Sequence, residues 1–452
     1  MDALTDISRW PSKPRASARL IGLLQNIVAS NVYLSTLAAK LEQIGVDICV
    51  ITDHVILSPT TFSSLSLHED FVCDTTILTH TVYYCPDVNL PTVRVDSEIT
   101  EPTIAIRVSS IEDFVKAHAL TNIHIQGDPT SDLRFTGPVL PNVPAILIQR
   151  NAGRGYAVAT IHPSSDHHLQ NTFNAFTHRS RTGDDLADTR HALKVFNEAE
   201  LYIGNPRAVE LFFETERNYW MSRNSAGRWQ KARQDELGIG WVNHDHHTYR
   251  SSRESFQGLT QFFLRMGFHQ REQFYAGTEA GWGALILDHP DSRVVIFADV
   301  DLSHDEVHTH FGSTHLAPSQ TLGTIGLWCA LHGSAIGLAG LHHLEAEFLF
   351  DKVRNDYIEH GGKVMAPFTE LSVLWQAFTA AELWDAPKGR LARLVNEGLI
   401  TDELAQHFST FGAPGSHLEI LQRWNGFKGF NKTGISAIIK TTNPRNVNPP
   451  NT

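Results

Sequence analysis

The 452-residue chain holds only four cysteines, Cys49, Cys73, Cys85 and Cys329. They are too few for a disulfide framework and lack the paired spacing of a zinc knuckle. No apolar run reaches the roughly 18 residues that a membrane helix needs, so no membrane partner is expected. Positive charge is in deficit. The 37 Lys and Arg stand against 49 Asp and Glu, a net charge of −12, which argues against a nucleic-acid backbone as main partner. Residues 1–18 carry no apolar core followed by a small-residue cleavage site, so no secretory signal is read and a cytoplasmic location is expected. Methionine is scarce as well, at 4, whereas histidine reaches 25. Most of these histidines must be surface or hydrogen-bonded residues, which leaves a few for metal ligation. What remains is a globular protein; a small-molecule partner and homo-oligomeric assembly are expectations for it.

The length suits two or three domains, and the 42% hydrophobic content supplies their cores. Helical spacing of Leu20, Leu23, Leu24, Ile27 and Val28 predicts a helix within 20–45. Strands are expected at Asp47–Ser58, Thr103–Val108, Ala145–Gln149 and Tyr156–Ile161, with a helix at Ile111–Leu120. The polar, His-rich stretch 165–190 reads as an exposed loop, 191–225 as helical, and the basic segment Ser222–Asp235 as a linker.

The second half is more regular. A strand over Trp241–Ser252, an amphipathic helix over Glu254–Met266 and three further strands to Val300 make one β-α-β-β-β unit. The pattern recurs from Gly340, with a strand to Phe348, a helix Phe350–His360 stopped by Gly361-Gly362, and a short strand Lys363–Ala366. An inserted helical stretch at about 370–398 precedes strands Leu404–Phe411 and His417–Arg423, and a helix closes 431–440.

Two such units can curve their sheets around a shared cavity. Strand alternation puts His246, Thr248 and Arg250 on one face, and His343, Glu345 and Glu347 on one face of the second unit's first strand. Leu344, Ala346 and Phe348 take the other face. A polar face backed by an apolar one implies something polar, or a metal, on the concave side.

These residues resemble a known family. Asp245-His246-His-Thr-Tyr-Arg250, followed by a helix ending Met266-Gly-Phe268, resembles the opening of a vicinal-oxygen-chelate module. Gly340-Leu-His-His343 resembles the start of a second. His417-Leu-Glu419-Ile-Leu-Gln-Arg423, then Lys428-Gly-Phe430-Asn-Lys432, is similar to the last strand and gating helix of 4-hydroxyphenylpyruvate dioxygenases. Ala405-Gln406-His-Phe408 stands where that family has a Leu-Gln-Ile-Phe strand. The resemblance covers about 236–440, with a weaker echo in Thr103–Arg150; residues 1–100 match poorly.

The resemblance implies an α+β fold of tandem βαβββ modules with open, barrel-like sheets. It divides the chain into a diverged, non-catalytic amino-terminal domain (1–232), a catalytic metal-binding domain (233–440) and a disordered tail (441–452). It makes His246, His343 and Glu419 the metal triad; should Glu419 be a solvated strand carboxylate instead, Glu382, Glu345 and Glu347 are reserve ligands. Gln406 becomes a catalytic cavity residue, and Thr248, Phe408 and Phe430 substrate-binding or lid residues. Two imidazoles and one carboxylate leave three open positions, which suits Fe(II) with dioxygen as co-substrate. The implied reaction is oxidative decarboxylation of a 2-oxo acid coupled to hydroxylation.

Departures from the family point away from 4-hydroxyphenylpyruvate itself. Arg250 stands in place of Asn, Leu327-Trp-Cys-Ala-Leu-His332 replaces a polar cluster, and Ala366-Pro367-Phe368 replaces a Pro-rich segment. Arg250 either binds an additional substrate carboxylate or pairs with a buried acid. Gln406 has a second reading too, in a helix started by Thr401-Asp-Glu403. His244, His247 and His342 are read as structural. An extradiol ring-cleaving dioxygenase, or an oxygen-independent isomerase or lyase, would use the same triad.

Overall fold

The computed structural model describes residues 12–77, 80–154, 166–277, 280–292, 294–306 and 309–446. The strand expected at Tyr156–Ile161 and the tail from residue 447 lie outside these residues. Among the described residues no single helix is long and apolar enough to cross a membrane.

Aliphatic runs such as Val55-Ile-Leu57, Ile104-Ala-Ile106 and Ile146-Leu-Ile148 build the first sheet. Its strands are β1 (Thr52–Leu57), β2 (Val72–Ile77), β3 (His80–Tyr84), β4 (Thr92–Asp96), β5 (Thr103–Arg107), β6 (Ile125–Gln126), β7 (Leu133–Pro138) and β8 (Ala145–Arg150). The second sheet comprises β9 (His244–Arg250), β10 (His269–Tyr275), β11 (Trp282–Asp288), β12 (Val295–Asp301), β13 (His343–Glu347), β14 (Thr369–Leu371), β15 (Leu374–Phe378) and β16 (His417–Arg423). The first runs β2-β3-β4-β1-β5-β8-β7-β6 and the second β10-β11-β12-β9-β13-β16-β15-β14. Strand for strand this is one order used twice.

Each sheet is a pair of βαβββ modules. Their helices are Pro59–Ser64, Ile111–Ala117, Arg253–Arg265 and Phe350–Glu359. Within a module the first and last strands pair in parallel; between modules the two first strands pair antiparallel. The chain is therefore an α+β protein of four tandem modules in two open sheets. The amino-terminal sheet holds two modules, where sequence showed an echo of half of one.

Five stretches differ from expectation. The strand expected at Lys363–Ala366 is a single bridge from Val364 to Thr379, and the last module's second strand is β14 instead. Residues 165–190 contain helix Asp166–Thr177 and the start of helix Asp185–Ile203, not only a loop. The Asp184 carboxylate caps the second by accepting from the Ala187 amide at 3.0 Å. Its polar neighbours are structural: Arg179 and Arg181 donate to buried Glu216 on the following helix, Asn205–Ser222, at 2.9 and 2.5 Å. The expected linker Ser222–Asp235 is mostly helix Ser225–Glu236, capped by Asn224 and packed through Ala226, Gly227, Gln230 and Gln234.

The stretch 370–398 opens with the hairpin β14–β15 before helix Lys388–Asn396. The expected strand Leu404–Phe411 is helix Asp402–Phe411. Thr401 Oγ1 accepts from the Leu404 amide at 3.2 Å, and Asp402 and Glu403 favour the positive helix start. Phe408 then packs with Leu327, Leu394 and Ile400 in a satellite core.

Helix Thr324–His332 ends against that region. His332 lies between Trp328 and Trp384 and donates Nε2–H to the Pro414 carbonyl at 3.0 Å. Burial lowers its pKa to about 3, despite that hydrogen bond. The unfolded chain takes up a proton here below about pH 6.5 and the folded chain does not. The contribution to stability is thus complete above pH 6.5 and declines as pH falls toward 3, by at most about 1.4 kcal/mol per pH unit. Urea denaturation at pH 7 and 4.5 should show His332→Gln losing about 2 kcal/mol less on acidification than the parent protein; equal losses would exclude His332 as a contributor.

Candidate metal centre

Alternation along β9 turns His246, Thr248 and Arg250 toward the concave side, while Tyr249 packs behind the strand on Phe263. On β13, His343 and Glu345 face inward, and on β16, Glu419 does. Sheet register sets them in rows. His343 lies opposite Thr248 on β9 and His417 on β16, and Glu345 lies opposite Glu419. A register shift between Leu344 and Ala346 slides β9 along β13 and lets His246 Nδ1 hydrogen-bond Glu345 Oε1.

His343 Nε2 is 3.1 Å from Glu419 Oε2 and 2.8 Å from Thr248 Oγ1. Gln376 on β15 joins the two carboxyl groups, its Nε2 donating to Glu345 Oε2 at 3.1 Å and Glu419 Oε1 at 3.0 Å. Arg423 donates to Asp245 Oδ2 from Nε at 2.9 Å and approaches it with Nη2 at 2.8 Å. Its Nη2 also reaches Glu345 Oε1 at 3.5 Å.

His246, His343 and Glu419 therefore line one cavity, with His343 touching Glu419 while His246 faces Glu345. Ligand atoms of Asp245, His246 and Glu345 lie within 4.8 Å of one another, a spacing one ion could bridge. Glu345 connects the two halves of the cluster.

Burial makes ionisation uneven. It pushes the Glu419 carboxyl well above the usual range, and the neighbouring Glu345 charge adds to this. For Glu345 and Asp245 burial is outweighed, by His246 for the first and by Arg423 and His246 for the second, so both are held low. Burial, reinforced by His417, keeps the His343 imidazole neutral. The neutral His343 imidazole beside crowded carboxyl groups suits a divalent cation, which would favour ionised Glu419.

Two expected site residues lie elsewhere. Gln406 is exposed on helix Asp402–Phe411, and Phe408 is in the satellite core. The glutamine-bearing strand is β15, where Gln376-Ala-Phe378 takes the place assigned to Gln406. Glu382 is remote from the cavity, accepting from the Ser225 amide and hydroxyl. His342 lines the cavity because β13 starts only at His343, so alternation does not govern it.

Phe297, Phe368, Phe378 and Phe430 wall the cavity, and helix Lys432–Thr441 roofs it with Ile435, Ile438 and Ile439. Its volume is about 30 Å³, room for a water molecule or so. Asn431 caps the roof helix and Lys432 pairs with Glu272 on β10. A larger cavity, about 800 Å³, separates the first sheet from helix Asn205–Ser222 and contains none of these donors.

Paired βαβββ modules, with inward donors on both first strands and on the closing strand, settle the architecture. The fold is the vicinal-oxygen-chelate fold. No known family profile and no curated protein matches the sequence. Solved structures align at low scores. A protein from Shewanella frigidimarina described as a hydrolase aligns over 48% of this chain and 95% of its own, at 14% identity and a TM-score of 0.34. A variant of 4-hydroxymandelate synthase from Streptomyces coelicolor aligns over 87% and 98%, at 10% identity and 0.31. Methylmalonyl-CoA epimerase from Mycobacterium tuberculosis aligns over 40% and 88%, at 10% identity and 0.23. At this likeness the chemistry must come from the chain's own residues.

Within the vicinal-oxygen-chelate fold, two local contacts are open to test. Arg423→Met leaves the buried Glu345 and the half-buried Asp245 without their cation, and the metal-free protein should lose about 3 kcal/mol in urea denaturation. A Cβ at Gly434 would sit 2.7 Å from Thr369 Oγ1, against the Phe368 carbonyl. Gly434→Ala should lift the roof helix, and protease cleavage within 428–441 should speed up several-fold with the rest of the chain equally resistant.

Proposed function

We propose that the chain is an Fe(II)-dependent dioxygenase acting on a 2-oxo acid, with His246, His343 and Glu419 holding the metal. The observation that supports this most is the presence of two imidazoles and a carboxylate on three strands lining one buried cavity. Iron bound there supplies Lewis acidity and redox capacity for coupling dioxygen to oxidative decarboxylation.

The chain's residues do the rest. His343, kept neutral by burial, presents a lone pair rather than a proton. Thr248 and Glu419 fix its ring through Nε2 in the metal-free state. Gln376 holds the Glu419 and Glu345 carboxyl groups at a set separation by donating to both. Phe297, Phe368, Phe378 and Phe430 exclude water from the reacting volume. A cavity of about 30 Å³ cannot admit a 2-oxo acid until helix Lys432–Thr441 moves, so binding is coupled to lid opening.

Glu345 favours a second reading. Its carboxylate touches His246, and as a fourth protein donor it would reduce the open positions of a six-coordinate ion to two. Those would hold a chelating substrate and leave none for oxygen, as in a metal-dependent isomerase or lyase.

Metal content and gas uptake separate the two. Purified protein should carry about one iron per chain and consume oxygen with a 2-oxo acid, releasing carbon dioxide. Turnover in strict anaerobiosis would replace the oxygenase with the isomerase or lyase. His343→Ala should lose the iron while keeping its circular-dichroism spectrum; normal iron content in that variant would remove His343 from the site.

A further inference from the structure

Arg250 is 1% exposed and lines the metal cavity. Its Nε and Nη1 have no hydrogen-bond partner, and among the described residues no carboxylate lies within ion-pair distance of the guanidinium. Trp328 gives it a ring face at 5.7 Å and nothing more. A guanidinium offers five donors in a rigid fork and does not discharge. Burying one unpaired is expensive, so its place in the cavity wall calls for an anionic partner.

Asp299 is the obvious internal partner, since sheet register sets it directly across from Arg250. It makes no ion pair with Arg250, and burial, opposed only in part by that guanidinium, pushes its carboxyl up to about 7. Asp301, next along β12, is committed elsewhere, accepting from the Ile325 and Gly326 amides at 3.1 and 2.7 Å. The sequence left two roles open for Arg250, a substrate anchor or a buried ion pair. The structure leaves the ion pair unformed.

Resting on the 2-oxo acid reading above, we infer that Arg250 binds a second anionic group of the substrate, which is therefore a 2-oxo diacid or its phosphonate or sulfonate equivalent. Arg250 follows Thr248 by two residues on the same strand face, about 7 Å along β9. Thr248 is the partner of His343. A short chain chelating the metal through its 2-oxo acid end spans that distance and brings its far carboxylate to the fork. Phe297 and Phe378 offer apolar walls for the methylenes between.

The test is anaerobic calorimetry on the full-length, iron-loaded protein with two probes of equal chain length, 2-oxoglutarate and 2-oxopentanoate. The diacid should bind roughly 10- to 100-fold more tightly, as one charge-assisted bidentate contact provides. Arg250→Met should abolish that preference and leave 2-oxopentanoate binding within threefold of the parent. Equal binding of both probes by the parent, or a preference that survives Arg250→Met, overturns the inference and leaves the 2-oxo acid reading standing. Binding of neither probe overturns both. Denaturation of the metal-free variant gives an independent check. Removing an unpaired buried cation should leave the midpoint unchanged or raised, whereas a lowered midpoint would mean that Arg250 serves the fold through Asp299.

Discussion

The ion pair between Asp245 and Arg423 holds the second sheet in the shape on which its chemistry depends. It ties the first strand of one module to the last strand of the other across β13. The same guanidinium donates Nη1 to the Gly429 carbonyl at 2.7 Å, directly before Phe430 and the roof helix. One buried cation thus sets the strand carrying Glu419, the strand carrying His246 and the hinge of the roof. Such a pair contributes little net stability against an apolar substitute but a great deal of geometric definition, since each partner is costly without the other.

The first sheet uses the same clasp. Arg150 donates to Asp53 at 2.7 and 2.8 Å, from the corresponding strands β8 and β1. The neighbouring histidine is repeated too: His54 follows Asp53 as His246 follows Asp245. Register then shows where the halves part. His54 lies opposite Ala105, and Ala105 opposite Ile146, in the places that Glu345 and Glu419 occupy in the second sheet. Burial keeps His54 unprotonated despite its Asp53 partner, and no carboxylate across the sheet shares its row. The scaffold is duplicated; among the described residues the donor set is confined to one copy.

That distinction bears on what was legible in the sequence. Period-2 alternation put His246 and His343 on inward faces, most cleanly on β13, His-Leu-Glu-Ala-Glu, whereas Glu419 was singled out by the family resemblance of its strand. Gln376 escaped notice because β15 has five residues, Leu-Trp-Gln-Ala-Phe, whose buried neighbours on both sides erase the alternation. The Gln406 segment looked equally apt, yet its Thr401 cap and the Leu404–Phe408 spacing made a helix. Glu345 was visible on the inward face, but only a register shift between two strands brings it to His246, and no single-strand pattern encodes that. The helical content of 166–190 was obscured by its polar residues, among them Arg179 and Arg181, charges that read as solvent-facing until their buried partner Glu216 is known.

Charge balance in the cavity ties the metal and substrate ends together. Asp245 and Glu345 are held ionised and Arg423 offsets one of them, while Glu419 keeps its proton in the metal-free protein. A dication that displaces the Glu419 proton would offset carboxylate charge that Arg423 alone does not compensate. A monovalent ion would leave buried negative charge. The far end has the opposite excess, because Arg250 is cationic and the Asp299 carboxyl is pushed up to about 7. A substrate that is neutral beyond its chelating group would enclose that excess in a space walled by phenylalanine and isoleucine. An anion at the distal end would remove it, so under the proposed function the metal and the distal group of the substrate answer one electrostatic requirement of the closed cavity.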